Sequence, residues 1–288
     1  DLTVVPTNAI LSGNPEAITA LTKNIKSIHA NNILNGTVGS LNPFSTQQQS
    51  ELKQFWGKAK PSDKLGLLTS LYKSSAGNAN ASRDMINSIA GENGAYRLSA
   101  SLNNRGLQDI AGQIVTGQDL IEKGLVKVDE SGLTKHTEAY LAGITSPGKP
   151  DFQIYLDSIK ANYANLVQKS EKVTDSKGNI LNKTIDEELF NKAAKNVTGG
   201  KFTSGGFFGS KSVVLRPHTV GEKSFREQLE SFNSRNARNY GGSDKDFFLD
   251  LPLEQDPKNP YVYYFKNGTK YIMDATDKKR QKRLAFTV

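Results

Sequence analysis

At 288 residues, 36% of them apolar, the chain is long enough for two cored bodies or one elongated one. It has no cysteine, which excludes disulfides, iron–sulfur clusters, thiolate metal sites and cysteine nucleophiles. Its formal charge of +8 favours anionic partners such as nucleic acid or anionic lipid.

His29, His136 and His218 never fall at helical i,i+3 or i,i+4 spacing, so the sequence indicates no histidine metal site and no cofactor. No apolar run approaches the ~18 residues needed to cross a bilayer. A start on Asp1 rather than Met, without the charged and apolar regions of a signal peptide, leads us to expect a processed product or a piece of a longer polypeptide.

In chain order, Asn14-Pro15-Glu16 reads as an N-cap, a proline at N1 and a first-turn acid. Ile18, Leu21, Ile25 and Ile28 then share one face of a helix of about five turns that ends in Asn31-Asn32 and Asn35-Gly36. Ser45 or Thr46 caps a helix carrying Leu52, Phe55 and Trp56, and Pro61-Ser62-Asp63 opens another carrying Leu65, Leu68, Leu71 and Tyr72. Met85, Ile86 and Ile89 mark a further helix, and Leu107 to Ile121 mark one or two more. After the break at Ser146-Pro147-Gly148, a long amphipathic helix places Phe152, Leu156, Ile159, Tyr163 and Leu166 on one face.

Lys177-Gly178-Asn179 reads as a turn, and Thr184 with Glu187 as a capping box for a helix bearing Leu189, Phe190 and Ala193. The glycines and phenylalanines from Gly199 to Gly209 suggest a mobile or close-packing loop, followed by a strand at Val213-Val214-Leu215 and a helix through Phe225, Leu229 and Phe232. Phe247 to Leu253, Tyr261 to Lys266 and Thr269 to Met273 then read as strands, with Asn267-Gly268 as a hairpin turn and a last strand over Leu284 to Val288. The expected fold is mainly α: an array of short amphipathic helices over 1–148, connecting helices over 149–198, and a small α+β domain with an antiparallel hairpin over 199–288.

The sharpest charge feature is Lys278, Lys279, Arg280, Lys282 and Arg283, five cations in six residues. With Arg235 and Arg238 they form a candidate nucleic-acid or anion site, to which Tyr261, Tyr263, Tyr264 and Tyr271 would add stacking surfaces. The competing reading is a solvated turn that keeps an edge strand from pairing elsewhere. The glycine pairs Gly199-Gly200 and Gly205-Gly206 lack phosphate-loop spacing. No Gly-x-Ser-x-Gly elbow presents a serine.

Glu92-Asn93-Gly94-Ala95-Tyr96 through Gly106-Leu107-Gln108 resembles lysozyme-like lytic transglycosylases, in which one glutamate in an apolar cleft protonates a glycosidic oxygen. That resemblance makes Glu92 the catalytic candidate of an alternative, peptidoglycan-cleaving reading. The sequence departs from that family at Asn93, where serine is usual, and in lacking Met between Leu107 and Gln108.

Two further segments, Tyr96 to Ala111 and Tyr264 to Asp274, resemble the C-terminal regions of large virion-associated proteins of tailed bacteriophages and prophages. The resemblance implies a non-enzymatic internal, tail or DNA-ejection component. Such a component would assemble with other virion proteins, form oligomers, and contact DNA or the host envelope. It would reside in the virion or, during assembly, in the bacterial cytoplasm. No family active-site residue transfers to this chain.

Overall fold

The computed structural model describes residues 2–170, 174, 177–182, 184–205, 211–240, 246–279 and 281–288. Among these the chain is mainly helical, with eleven α-helices and a small C-terminal region of antiparallel strands. It divides into two compact units, Asp1–Lys135 with Pro150–Ala193, and His136–Lys149 with Ala194–Val288.

The first unit begins with α1 (Thr7–Leu11), α2 (Pro15–Leu34), α3 (Thr46–Lys58), α4 (Pro61–Ser74) and α5 (Ala79–Ala90). Local chemistry sets where these helices start. The Asn14 side chain accepts from the Glu16 N–H at 2.8 Å just ahead of Pro15. Ser45 and Gln48 close a reciprocal capping box, in which Ser45 Oγ accepts from the Gln48 N–H at 3.2 Å and Gln48 Oε1 from the Ser45 N–H at 3.0 Å.

Three more helices build the centre of this unit: α6 (Gly94–Asn104), α7 (Gln108–Glu122) and, after β1 (Val126–Val128) and α8 (Glu130–Leu141), α9 (Pro150–Ser170). They pack on one another, and α4 lies against α6 and α7. The close approach depends on missing side chains. A Cβ on Gly117 of α7 would lie 1.7 Å from the Ala161 carbonyl oxygen of α9, and one on Gly94 would lie 2.5 Å from Ile154 Cα. From Ala161 to Val167 every residue of α9 is buried, so this stretch of the helix is enclosed all round rather than two-faced.

Short β2 (Ile180–Asn182) pairs in parallel with β1, Lys127 opposite Leu181. Buried Tyr163 holds the segment that follows: its hydroxyl donates to Asn182 Oδ1 at 3.0 Å and accepts from the Asp186 N–H at 2.9 Å. Helix α10 (Glu187–Thr198) starts there. The cap expected at Thr184 is displaced, because Asp186 precedes the first turn and its carboxylate accepts from the Leu189 N–H at 3.0 Å. Asp186 stands closer to the helix and carries a charge that favours the helix N-terminus.

In the second unit, β3 (Lys201–Ser204) and β4 (Ser212–Leu215) form an antiparallel pair, followed by α11 (Glu222–Asn236) and a 3₁₀ turn at Ala237–Tyr240. The pair at Gly199 and Gly200 is a close-packing element. Gly199 has φ +82°, and a Cβ there would meet the Arg216 carbonyl oxygen at 2.2 Å. Arg216 is itself buried, its Nε donating to the Lys201 carbonyl at 3.1 Å and its Nη1 to the Val220 carbonyl at 2.7 Å. The remainder of the expected glycine–phenylalanine loop, 206–210, lies outside the described residues.

The C-terminal sheet comprises β5 (Leu253–Gln255), β6 (Val262–Asn267), β7 (Lys270–Tyr271) and β8 (Ala285–Thr287), with β6 pairing all three neighbours. Its inner side chains Leu253, Tyr263, Phe265, Leu284 and Phe286 close over Phe225 and Leu229 of α11. The rings meet edge-on or tilted, Phe225 at 5.0 Å from Tyr263 and 5.6 Å from Phe286. The strand expected over Phe247 to Leu253 is corrected: 246–250 form a turn, and only Leu253 enters β5. Phe247, Phe248, Leu249 and Leu251 all pack towards the same core, which a two-faced strand cannot arrange. The Phe248 N–H donates to buried Asn233 Oδ1 at 2.7 Å instead of to a ladder.

Candidate nucleic-acid interface

Strand register sorts the C-terminal residues onto two faces. Glu254 stands opposite Tyr264, Lys266 opposite Tyr271 and Ala285 opposite Tyr264, so these side chains share the face turned away from the aromatic core. Arg283, bridged to Met273, joins them. Its guanidinium carbon lies 3.7 Å from the centroid of the Tyr271 ring and 5.5 Å from that of Tyr264.

Carboxylates tie this face together. Tyr271 donates to Glu254 Oε1 at 2.5 Å, Lys266 Nζ to Glu254 Oε2 at 2.6 Å, and Tyr264 to Asp256 Oδ2 at 2.7 Å. The hydrogen bonds from Lys266 and then Tyr271 hold the Glu254 carboxyl below the usual carboxylate range. The same bonds push both phenols up, Tyr271 through Glu254 and Tyr264 through Asp256.

The basic turn leaves this sheet between Tyr271 and Arg283. Lys278, Lys279 and Lys282 are exposed, and no ion pair among the described residues engages them. Arg280 lies outside the described residues. The acids of the turn face its own backbone. Asp277 accepts from the N–H groups of Gln281 at 2.7 Å, Lys282 at 2.9 Å and Lys279 at 3.2 Å, while Asp274 accepts from the Thr276 N–H at 2.8 Å and from its hydroxyl at 2.7 Å. The backbone bonds of Lys282 and Gln281 hold the Asp277 carboxyl below its ordinary value.

The structure separates the remaining sequence candidates. Arg238 is exposed on the 3₁₀ turn, whose Tyr240 hydroxyl accepts from the Ala275 N–H at 2.8 Å; this bond ties the turn to the start of the basic segment. Arg235 borders a different feature, a groove between α11 and β8. Tyr263 is withdrawn into the core, its hydroxyl donating to the Leu215 carbonyl at 2.7 Å, and Tyr261 lies beside Thr219 with their hydroxyls 3.2 Å apart. Only Tyr264 and Tyr271 of the four tyrosines stand on the outer face. Lys266 and Glu254, not singled out from sequence, belong there too; strand alternation about Asn267-Gly268 is the signal that places Lys266, whereas Glu254 is placed by the pairing of β5 with β6.

Glu92 lies on an exposed bend before α6, next to the N-cap Asn93. His218, in the loop between β4 and α11, has Nε2 2.8 Å from the Asn196 carbonyl oxygen. Among the described residues no group of three or more His, Asp or Glu could hold a metal ion, and no helix is long and apolar enough to cross a membrane.

The first unit contains a polar cluster that sequence reasoning missed. Lys64 and Asp119 are buried 2.7 Å apart, Lys123 reaches the second Asp119 oxygen at 2.6 Å, and the Lys64 ammonium lies 5.1 Å from the Trp56 ring centroid. Trp56 meets Tyr96 edge-on at 4.8 Å, and Tyr96 donates to Glu122 Oε1 at 2.7 Å. Burial, then the neighbouring Glu122 charge, drives the Tyr96 phenol far up, so it stays protonated. These groups satisfy one another.

Comparison with protein-family models, with curated proteins and with solved structures finds no match to this chain.

Proposed function

We propose that the chain is a non-enzymatic component of a tailed-phage or prophage virion, assembling with other virion proteins and contacting the DNA backbone through the basic turn. Its place is the virion, or the bacterial cytoplasm during assembly. One observation carries the DNA contact: the turn presents Lys278, Lys279 and Lys282 outward while its aspartates are occupied by backbone N–H groups. Residues 258–288 hold eight lysines and arginines against two aspartates, so most of the net charge is concentrated in this stretch. Half-buried Tyr271, already stacked on Arg283, offers a ring beside the cations.

The test is DNA affinity against salt. Contact with about three phosphates predicts a slope of log K against log salt near −3 for duplex DNA. Replacing Lys278, Lys279 and Lys282 by Gln should flatten that slope by about 2–3 without changing the melting temperature. A slope that the triple variant leaves unchanged would remove the basic turn from the reading. Turnover of purified cell wall that disappears in Glu92→Gln would replace the reading by the peptidoglycan-cleaving one.

A further inference from the structure

The hydrogen-bond parity of β6 fixes which backbone groups of β8 point away from the C-terminal sheet. Lys266 N–H donates to the Pro252 carbonyl and Asp256 N–H to the Val262 carbonyl, so even-numbered residues of β6 bond to β5. The odd-numbered ones bond the other way: Ile272 N–H donates to the Phe265 carbonyl and Val288 N–H to the Tyr261 carbonyl. With Tyr263 opposite Phe286, the backbone of Phe286 therefore points into the sheet. The N–H and C=O groups of Ala285 and Thr287 point away from it, and no strand among the described residues pairs with them.

A groove of about 280 Å³ lies along this edge. Phe286 and Thr287 both border it although their side chains project to opposite faces of the sheet, so the groove follows the free edge of β8 and not one face. Its other wall is a stripe of α11, namely Ser224, Gln228, Ser231 and Arg235. From residue 224 to 235 the helix rises about 16 Å, the length of about five extended residues. At one end Arg235 Nε donates to the Ser231 carbonyl at 3.1 Å, which leaves its two Nη groups without a carboxylate among the described residues. Glu227, which also borders the groove, lies 3.8 Å from Lys223.

We propose that the β8 edge and the α11 groove form a docking site for an extended segment of a partner polypeptide, which adds to the sheet as a fifth strand. Alternating backbone donors and acceptors at Ala285 and Thr287 are complementary to another strand. The buried Phe286 at the wall suits an apolar side chain. The Arg235 fork suits a carboxylate, from an acidic residue about five positions along. The site is separate from the basic turn and does not depend on DNA contact.

The probe is the peptide acetyl-Thr-Val-Thr-Val-Thr-Glu-amide, with the full chain observed by amide chemical shifts and hydrogen exchange. Binding should shift the Ala285 and Thr287 amides and slow their exchange about tenfold or more at saturating peptide. Arg235→Glu should weaken binding about tenfold. Thr287→Pro removes an N–H that the native sheet does not use, so it should abolish binding while the Tyr263 and Phe265 amides stay protected. Methylating alternate peptide nitrogens should also abolish it, and the triple glutamine variant of the basic turn should bind normally. The proposal is overturned by equal binding of the methylated peptide, by undiminished binding to Thr287→Pro, or by no protection at millimolar peptide. Protection that rises with protein concentration alone would assign the edge to a second copy instead.

Discussion

Lys64 and Asp119 meet at 2.7 Å inside the helical unit, where both are almost wholly removed from solvent, and Lys123 completes a triad around the same carboxylate. The arrangement is asymmetric: Asp119 has two cationic partners, whereas Lys64 has one carboxylate and the face of Trp56.

The two halves of the pair should therefore differ in cost. Asp119→Ala strands a buried ammonium and is expected to destabilise by about 3–5 kcal/mol. Lys64→Met keeps the alkyl packing on Trp56 and leaves Asp119 paired with Lys123, so its cost should be about 1–2 kcal/mol. Urea midpoints of the two variants check this. Equal losses would mean that Lys123 does not share the carboxylate in solution.

The same carboxylate predicts an acid limb. Burial alone would push the Asp119 carboxyl up, but hydrogen bonds from Lys123 and Lys64 outweigh it and hold the group below its ordinary value. A carboxyl whose folded pKa lies below the unfolded value of about 3.9 stabilises the fold above that pH. The contribution is lost as the pH falls through the folded pKa. Stability should decline from about pH 5 towards pH 2, and the decline should be shallower in Asp119→Asn.

The helices that are legible in the sequence are those with a visible cap and a large apolar stripe. Asn14-Pro15, Ser45 and Pro61 all start helices where their side chains or fixed φ act locally. Helix α6 carries no such stripe, because its buried positions are Gly94, Ala95, Ser99 and Ala100 besides Tyr96 and Leu102. Small residues signal close packing only once the opposing helix is known. The β1–β2 pair joins residues more than fifty positions apart, beyond any local pattern. The hairpin at Asn267-Gly268 is readable, with Gly268 at φ +60°, and so is the basic turn, but not the occupation of that turn's backbone by Asp277.

Two glycines of α7 should respond with opposite signs. Gly117 abuts the Ala161 carbonyl, so Gly117→Ala must push α7 and α9 apart, at a cost of about 1–3 kcal/mol or more. Gly112, five residues earlier in the same helix, faces open space, with no atom within 4 Å of where a Cβ would stand. Gly112→Ala should stabilise by up to about 1 kcal/mol through helix propensity. Thermal melts of both variants test whether α7 and α9 touch as closely in solution.

Asp277 allows charge and order in the basic turn to be separated. Its carboxylate occupies the Lys279, Gln281 and Lys282 N–H groups, which would otherwise face solvent or an anion. Asp277→Ala removes both the negative charge and the acceptor, so the Gln281 and Lys282 amides should lose exchange protection. Asp277→Asn removes the charge but keeps an acceptor oxygen, so those amides should stay protected. If the turn meets phosphates, the Asn variant should bind DNA more tightly than the parent chain at low salt, since one repelling charge is gone. Because only the Asn variant keeps the lysines held in place, it should bind more tightly than the Ala variant at every salt concentration. Identical affinities for the two would show that the order imposed by Asp277 contributes nothing to the contact.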